Sequence, residues 1–396
     1  MARLCLVTSK PTDAVTDGFL PAAARLGLDV LVVTDRPGAY DLAVAGPAAT
    51  GPVIAGPGGA GPVVHCDVWD FRALIACVSA LRPDAVFSNS DHLQAQTALA
   101  ADYLGLPGKD WRSCLRAKDK ALMRSRLAET GTEQVGCWDV SSPGIRFPAV
   151  LKPAEGVASE DVVLVRDAAE LAARSAQGFD RRMIVEEFLP GQLRTLETIG
   201  DGETTWVLGG FRTDVSPPPF FIEERLTWDP LPPGDADRAH VELALASLGV
   251  GFGACHTEFA GGRLIEVNDR LIGDRCEFLL GELFGLDLFE LVLRVHLGER
   301  LPASIPPPTA NHAVASYIWA EQSGVLVAAP AAGPVAGGQS GVRVSYWPML
   351  PVGARISLAN SNRDYLGVLT AVGGSSAEVE RAVDAARSRG GWEIST

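Results

Sequence analysis

The chain has 396 residues, 47% of them hydrophobic and 21% charged, and its formal net charge is −14. This composition is typical of a folded globular protein, and the length suits two or three domains of roughly 100–200 residues each. The negative charge argues against a nucleic-acid binder, which needs a basic face to neutralise phosphates. A small anion can still bind to an acidic protein where a few Lys and Arg side chains converge in one cleft.

Seven cysteines are scattered along the chain, and none belongs to a C-x-x-C pair. We therefore expect neither a disulfide framework nor a zinc site, but reduced thiols in the core. The amino-terminal residues lack the layout of a signal peptide, and no apolar run reaches the roughly 20 residues of a transmembrane helix. These features predict a cytoplasmic protein that does not bind a membrane.

Short apolar strands alternate with helices along the first hundred residues. The predicted strands are 3–8, 29–34 and 85–88, and the predicted helices are 14–26, 68–81 and 91–103. Residues 41–64 are rich in Gly, Ala and Pro, which indicates a loop. The alternation predicts a parallel α/β sheet in a first domain that ends with the Leu-Pro-Gly sequence at 106–108.

The rest of the chain mixes helices with extended runs. Helices are predicted at 111–130, 168–177, 235–249, 282–298 and 377–389, and extended runs at 147–153, 161–165, 183–189, 194–200 and 204–211. A hairpin at 252–267 turns on two consecutive glycines. The proline-rich stretch 216–233 predicts a loop or a sheet edge, and residues after the linker 302–308 form a small α/β tail.

The most informative segment is the hairpin that carries Glu258, Glu266, Asn268 and Arg270. Strand alternation places Glu266, Asn268 and Arg270 on one face. Two carboxylates and an amide oxygen suit Mg²⁺, which prefers one or two carboxylates together with phosphate oxygens. Arg270 beside them can bind a carboxylate or phosphate in bidentate fashion. Because short patterns recur by chance, an ordinary exposed hairpin is the alternative.

Two further segments could bind a nucleotide. Lys152 ends a predicted strand and is followed by a loop with Gly156 and Ser159, whose backbone N–H groups can approach phosphates. Residues 183–191 run from an apolar strand into two acids, two apolar residues and a Gly turn, which can hold an adenine. A plain hairpin and a surface strand end are the alternatives. The Walker pattern G-x-x-x-x-G-K is absent. A further segment, the predicted helix at 116–127, is rich in polar residues, which is typical of a helix face exposed to solvent.

Taken in order, these segments resemble the ATP-grasp superfamily, and above all its carboxylate–amine ligases of the L-amino-acid ligase and carnosine synthase group. The matching motifs are Asp119-Lys120, Val150-Leu-Lys152-Pro, Val185-Glu-Glu-Phe-Leu-Pro-Gly191, His256-Thr-Glu258 and Glu266-Val-Asn-Asp-Arg270. The resemblance implies an α/β protein with the ATP-grasp fold. Its parts would be a Rossmann-like pre-ATP-grasp domain (1–108), a two-lobed ATP-binding region (109–300) with a mobile lid at about 120–195, and a C-terminal subdomain (301–396).

The resemblance also implies roles for individual residues. It assigns ATP to Lys120, Lys152, Gly156, Ser159, Glu186, Glu187, Phe188 and Leu189. It assigns Mg²⁺ or Mn²⁺ to Glu258, Glu266 and Asn268. It assigns the substrate to Arg270, Gly273, His256 and Glu223. Arg270 and Lys152 are the candidate catalytic residues.

The chain departs from many relatives at the ribose position. They place a ribose-binding Glu two residues after the hinge glycine, where this chain has Leu193, and Glu197 is the alternative. The phosphate loop also holds fewer glycines, and the gap from Glu258 to Glu266 is shorter. These differences leave the ribose contact unassigned.

The resemblance implies a ligase that uses ATP to join a carboxylate to an amine through an acyl phosphate, with release of ADP and phosphate. One substrate is expected to be an amino acid, and a homodimer is expected since relatives are often dimers. Three alternatives stay open: an ATP-grasp enzyme with another nucleophile, as in carboxylases, a non-catalytic nucleotide-binding regulator, and a dinucleotide-binding oxidoreductase. The missing G-x-G-x-x-G pattern counts against the last.

Overall fold

A computed structural model describes residues 1–43, 63–335 and 341–396. Most of the loop predicted at 41–64 lies outside these ranges. At its borders a helix ends at Ala43 and a strand begins at Val63.

The first domain is built on a parallel sheet. Its described strands are β1 (Arg3–Val7), β2 (Asp29–Thr34), β3 (Val63–His65) and β4 (Ala85–Phe87). Its helices are α1 (Leu20–Arg25), which continues a π-helical segment at Ala14–Phe19, α2 (Pro37–Ala43), α3 (Phe71–Leu81) and α4 (Gln94–Tyr103), which follows a 3₁₀ turn at Asp91–Leu93. The strand order is β3-β2-β1-β4, with parallel pairing throughout. The predicted parallel α/β domain is confirmed, and its strand ends meet at one edge.

Two helices, α5 (Trp111–Lys118) and α6 (Lys120–Glu129), lead out of this domain. The single helix predicted at 111–130 is divided at Asp119, whose extended backbone ends α5. Its carboxylate accepts hydrogen bonds from the backbone N–H groups of Ala121 (2.9 Å) and Leu122 (3.2 Å), which makes it the N-cap of α6. Lys120 is therefore the first residue of α6, facing the next lobe.

The next lobe is a small antiparallel sheet with one helix. Its elements are β5 (Cys137–Asp139), β6 (Ala149–Pro153), β7 (Val163–Val165), α7 (Ala168–Ser175) and β8 (Met183–Glu187). The strand order is β5-β8-β6-β7. Ala149, Leu151 and Val185 belong to an apolar core within this lobe. We call this lobe the lid.

A large antiparallel sheet forms the body of the molecule. Its strands are β9 (Leu193–Asp201), β10 (Thr205–Val207), β11 (Gly210–Val215), β12 (Glu223–Asp229), β13 (Phe252–Ala260), β14 (Arg263–Asn268), β15 (His312–Trp319), β17 (Gly333–Pro334), β18 (Val342–Pro348) and β20 (Tyr365–Gly373). The short strands β16 (Gly324–Ala328), β19 (Arg355–Ile356) and β21 (Glu393–Ser395) form an adjoining sheet. The helices are α8 (Ala236–Leu248), α9 (Cys276–Phe284), α10 (Leu288–His296) and α11 (Ser376–Ser388). The large sheet runs β14-β13-β9-β11-β12-β15-β20-β18-β17, with β10 paired to β9.

Two predictions are wrong in this region. The stretch 216–233 contains β12, which lies inside the large sheet between β11 and β15, because its prolines flank the strand without interrupting it. The helix predicted at 282–298 is replaced by α9 and α10. Gly285 ends α9 with a positive φ of 63°, and Asp287 caps α10 by accepting from the N–H of Glu290 (3.0 Å).

The C-terminal strands continue the large sheet, since β15 pairs with β12 and β20 pairs with β15. The boundary predicted at residue 301 therefore falls between two strands of one sheet, and the division into domains stays a prediction. An apolar core joins the first domain to this body, and it includes Phe19, Phe211, Phe289 and Tyr317. It holds the first domain firmly against the large sheet.

All seven cysteines are free, and five of them are buried, as predicted. Among the described helices, none is long and apolar enough to cross a membrane.

Candidate active site

The lid, the large sheet and the carboxyl edge of the first domain's sheet enclose a cavity of about 990 Å³. Every site residue predicted from the sequence lines it: Lys120, Lys152, Gly156, Ser159, Glu186, Glu187, Phe188, Leu189, Glu223, His256, Glu258, Glu266, Asn268, Arg270 and Gly273. The structure therefore brings together residues that are up to 153 positions apart in the chain, from Lys120 to Gly273. Their individual roles stay predictions.

The hairpin of β13 and β14 sets the register of the acidic face. Glu258 lies directly opposite Glu266, and His256 lies directly opposite Asn268. Side chains of directly opposed residues share a face, so these four groups project together. The turn residues Gly261 and Gly262 have φ values of 55° and 72°, which suit the turns that close tight hairpins. Arg270 lies two residues beyond the end of β14.

Two carboxylates contact the imidazole ring of His256. Its Nδ1 lies 2.8 Å from Oε1 of Glu197, and its Nε2 lies 3.4 Å from Oε1 of Glu258. Burial lowers the pKa of His256, but the two carboxylates outweigh burial and raise it to about 10. Burial raises the pKa of Glu258, yet contacts with His256, Lys120 and Arg270 bring it below its usual value. The imidazolium therefore keeps Glu258 ionised and oriented.

Each of the two predicted phosphate lysines faces a carboxylate. Nζ of Lys120 lies 2.9 Å from Oε1 of Glu266, and Nζ of Lys152 lies 2.5 Å from Oε2 of Glu186. Burial lowers the pKa of both lysines. Glu266 more than restores that of Lys120, whereas the pKa of Lys152 stays below its usual value. Both ammonium groups are thus fixed at the cavity wall.

The segment interpreted as a solvated helix face contributes a buried arginine instead. Arg124 is 5% exposed. Its Nε lies 3.0 Å from Oε1 of Glu186 and its Nη1 lies 2.9 Å from Oε1 of Glu133. Burial raises the pKa of Glu186, but Arg124 and Lys152 lower it to about 2. The side chain of Glu186 is therefore an anchor for Lys152, and sequence reasoning missed Arg124 because its partners are distant in the chain.

The donor set on the hairpin fits a hard divalent cation. Glu258 and Glu266 offer two carboxylates and Asn268 offers an amide oxygen, and Mg²⁺ completes its shell with water and phosphate oxygens. Among the residues that the structure describes, no group of three or more His, Cys, Asp or Glu side chains is arranged to hold a metal. The amide of Asn268 is accordingly the third protein donor in this set.

The loop of the lid docks on a 3₁₀ turn at Asn362–Asp364. The backbone N–H of Asn362 donates to the carbonyl of Ala158 (3.1 Å), and Nε of Arg363 donates to Oε1 of Glu160 (2.6 Å). Ala158 and Ser159 adopt positive φ values of 58° and 54°, which are uncommon outside glycine. The contacts of Asn362 and Arg363 join the lid to the C-terminal segment.

Glu197, the residue suggested in place of the missing ribose-binding Glu, is not part of the cavity wall. It accepts from Thr195 Oγ1 (2.7 Å) and contacts His256. Leu193 does line it, and Thr213 lies opposite Leu193 on β11. The Thr213 hydroxyl is buried, and it has no hydrogen-bond partner among the described residues. No motif in the sequence marks Thr213, which is the better candidate for a ribose hydroxyl.

The far end of the cavity is built around Glu223. Its backbone N–H donates to Oδ1 of Asn362 (3.1 Å), and Nδ2 of Asn362 donates to its Oε2 (3.2 Å). Burial and the charge of Glu258 raise the pKa of Glu223 to about 8.

At the first domain's edge Asp91 contacts Lys118, and its Oδ1 lies 3.9 Å from Nε of Arg270. Asp91 therefore lies within ion-pair distance of Arg270 and links the first domain to the residue that follows the hairpin.

The arrangement of lobes and sheets is that of solved ATP-grasp structures. The chain matches the solved structure of an L-amino acid ligase from Bacillus licheniformis with a TM-score of 0.76 and 22% identity, over 100% of this chain and 99% of that one. It also matches a phosphoribosylglycinamide synthetase from Anaerococcus prevotii (TM-score 0.71, 14% identity, 100% of both chains). The biotin carboxylase domain of a Hydrogenobacter thermophilus 2-oxoglutarate carboxylase, solved with MgADP, matches with a TM-score of 0.68 and 17% identity over 99% and 90% of the two chains. The predicted ATP-grasp fold is confirmed.

Two relatives are similar in sequence. An uncharacterized protein, y4rH, from Sinorhizobium fredii (strain NBRC 101917 / NGR234) is 28% identical over 351 residues, covering 82% of this chain and 70% of the relative. Carnosine synthase 1 from Gallus gallus is 28% identical over 267 residues, covering 57% of this chain and 28% of the relative. No protein-family model matches the sequence.

Proposed function

We propose that the protein is an ATP-dependent carboxylate–amine ligase that forms an amide bond through an acyl phosphate, with an amino acid as one substrate. The observation that carries this proposal is the shared cavity of Lys120, Lys152, the acidic hairpin and Arg270. A lid and a sheet of the ATP-grasp fold enclose this cavity. Similarity to an L-amino acid ligase and to carnosine synthase 1 supports the choice of reaction.

The nucleotide lies between the lid and the large sheet in this proposal. The backbone of residues 186–189 and the side chains of Phe188 and Leu189 receive the adenine, which needs apolar walls and one or two hydrogen bonds. Lys120 and Lys152 hold the phosphates from opposite lobes, together with the backbone of the loop around Gly156 and Ser159.

Glu258, Glu266 and Asn268 would hold Mg²⁺ or Mn²⁺, which neutralises charge on the transferring phosphoryl group when bound. Arg270 holds the substrate carboxylate beside that group, and Asp91 orients its guanidinium. Gly273 lines the cavity beside Arg270 and is proposed to contact the substrate through its backbone.

The reaction has two steps. A carboxylate oxygen attacks the γ-phosphorus of ATP, the bond from that phosphorus to the bridging oxygen breaks, and ADP leaves. The amine nitrogen then attacks the carbonyl carbon of the acyl phosphate, the C–O bond to phosphate breaks, and the nitrogen loses a proton. The protein supplies position and charge, and no side chain acts as a nucleophile. The closed lid excludes water, which would hydrolyse the acyl phosphate.

A carboxylase-type reaction is the second candidate, because biotin carboxylase domains share the fold over nearly the whole chain. In that case bicarbonate would take the place of the substrate carboxylate. Amine dependence distinguishes the two reactions.

A matrix of amino acids with Mg-ATP tests the proposal. We expect at least one pair to release ADP and phosphate with formation of an amide product detected by mass spectrometry. ADP release that depends on bicarbonate and not on any amine would favour the carboxylase. No carboxylate-dependent release of ADP with any pair would remove the ligase proposal.

A further inference from the structure

One end of the cavity is acidic. Glu223, Asp274 and Glu277 all line it, next to Arg270 and Gly273. Neither Asp274 nor Glu277 has a role in the phosphoryl transfer described above. Carboxylates enclosed by protein are normally paired with a cation or fully hydrogen-bonded, because an isolated buried charge is costly.

Glu277 is an unpaired acid pointing into this end. The residue is 2% exposed, and its Oε2 has no hydrogen-bond partner among the described residues. It belongs to the first turn of α9, where its own backbone N–H and the helix dipole favour a negative charge. The backbone hydrogen bond uses one carboxylate oxygen. The other, Oε2, has no partner among the described residues, and Glu277 lines the cavity.

Two of the arginines near this cluster already have acidic partners, although Nε of Arg275 has no hydrogen-bond partner among the described residues. Nη2 of Arg275 lies 2.8 Å from Asp13 and 2.7 Å from Asp17, and Nε of Arg363 lies 2.6 Å from Glu160 on the lid. The third, Arg270, is the group proposed to hold the substrate carboxylate. Positive charge is therefore short at this end of the cavity.

The pKa values agree with a shortage of positive charge. Burial, followed by the charge of Glu258, raises the pKa of Glu223 to about 8. Burial, followed by the charge of Asp274, raises the pKa of Glu277 to about 8. Burial also raises the pKa of Asp274, although Arg270 opposes it.

Two stacked tyrosines place these acids at one end of the cavity, since Tyr365 donates to the carbonyl of Glu223 (2.7 Å) and Tyr317 donates to the carbonyl of Asp274 (3.1 Å). Glu277 follows Asp274 by three residues, and all three acids line the cavity, so a ligand could contact all three.

We infer that Asp274 and Glu277, with Glu223, form a subsite for a cationic side chain on the amino acid whose carboxylate Arg270 holds. The substrate class is a basic α-amino acid that carries a side-chain ammonium or guanidinium group. Leu226, Ile272 and Met349 also line the cavity and offer apolar contact to an alkyl stem. Tyr317, stacked on Tyr365 at 4.2 Å, adds a flat wall. This inference rests on the proposed ligase activity.

The test compares isosteric substrates in the unmodified enzyme. Lysine with norleucine, and arginine with citrulline, differ mainly in the charge of the side chain. We expect kcat/KM for ADP release to be about tenfold or more higher for at least one basic member of these pairs, because a site built for a polar group rejects analogues that lack it. Equal or higher values for both neutral members would overturn the subsite while leaving the ligase proposal intact.

Single substitutions test which carboxylates cause the preference for a basic side chain. Glu277→Gln and Asp274→Asn keep the side-chain volume. In each variant, kcat/KM for the basic substrate should exceed kcat/KM for the neutral one by no more than about threefold, with an unchanged KM for ATP. The matched control is Glu282→Gln on the same helix, whose partner is Arg343 at the surface, and it should keep the wild-type ratio. A ratio that persists in both cavity variants would contradict the assignment.

Calorimetry separates this inference from the proposed function. Titration of lysine, norleucine, arginine and citrulline into the protein with Mg-ADP measures the preference without turnover. If no substrate supports ADP release but lysine or arginine binds at least about tenfold more tightly than its neutral analogue, the subsite stands and the ligase proposal fails. If both neutral analogues bind as tightly as their basic partners, the subsite is lost whatever the enzyme catalyses.

Discussion

At the scale of single residues, each lysine proposed to hold phosphate faces one carboxylate. Lys120 lies against Glu266, and Lys152 lies against Glu186. These carboxylates have different surroundings, because the side chain of Glu266 is 17% exposed whereas that of Glu186 is 3% exposed and also paired with Arg124. We therefore expect Glu266 to serve the reaction and Glu186 to serve the structure, and their variants should differ accordingly.

Replacement of Glu266 by Gln should abolish turnover without unfolding the protein. The change removes one of the two proposed carboxylate ligands and the partner of Lys120, so kcat should fall on the order of 100-fold or more. The melting temperature should stay within a few degrees of that of Glu299→Gln, an exposed control next to Arg294. Near-normal activity with Mg-ATP would remove Glu266 from the metal site.

Replacement of Glu186 by Gln should change stability and its dependence on acid. The pKa of Glu186 is about 2 in the folded protein, below its usual value of 4.5, so its ionisation favours the folded state above pH 4.5. This contribution is lost as pH falls from 4.5 toward 2. We expect Glu186→Gln to cost about 3–5 kcal/mol at neutral pH, since it leaves Arg124 and Lys152 without their buried partner.

Urea unfolding at a series of pH values measures this difference. Between pH 4.5 and 2 the loss of unfolding free energy should be smaller in Glu186→Gln than in the wild type. Glu129→Gln on α6 is the control, because Glu129 is exposed. Parallel pH profiles for the wild type and Glu186→Gln would show that Glu186 is not a strained, paired acid in the folded chain.

At the scale of elements, the lid meets the body through a short turn of the C-terminal segment. Asn362 contacts both the lid backbone at Ala158 and the side chain of Glu223. The lid and the far end of the cavity therefore share one element, and substrate in that end should favour the closed lid. Arg363 and Glu160 add an ion pair to the same contact.

Loosening this contact should expose the acyl phosphate to water. Arg363→Gln or Glu160→Gln removes a partly exposed ion pair worth about 0–1 kcal/mol, so amine-independent release of ADP should rise by up to about fivefold. Arg166→Gln is the matched control, because its partner Glu170 also lies on the lid but in an exposed pair. Amine-independent ADP release should not rise in Arg166→Gln. The double variant with both Arg363→Gln and Glu160→Gln should release ADP at nearly the same rate as either single variant. An equal rise in Arg166→Gln would mean that the pair does not act through closure.

Local signals predicted some of these elements and missed others. The Gly-Gly turn and strand alternation were enough to predict that Glu258, Glu266 and Asn268 face one cavity. The break between α9 and α10 was missed because apolar spacing continues through Gly285, although a glycine followed by a capping Asp was a signal. β12 was missed because prolines near a strand resemble a loop, and which strands border it depends on pairing that the sequence does not show.

At the scale of the whole molecule, the site is assembled from partners far apart in the chain. Asp91 from the first domain contacts Lys118 and Arg270, and Arg124 joins Glu186 of the lid to the hairpin through the carbonyl of Leu264 (2.7 Å). Such contacts follow from packing of three lobes and carry no local pattern. The motif order was sufficient to predict the fold, whereas the acidic end at Asp274 and Glu277 required the structure.

The central claim is that the carboxylate is activated as an acyl phosphate in this cavity. Hydroxylamine supplied in place of the amine, together with Mg-ATP and the amino acids that support turnover, measures it directly. The account predicts a substrate-dependent hydroxamate, formed together with ADP and phosphate in equal amounts, and its loss in Glu266→Gln. A hydroxamate accompanied by AMP and pyrophosphate, or ADP release with no hydroxamate from any carboxylate, would contradict it.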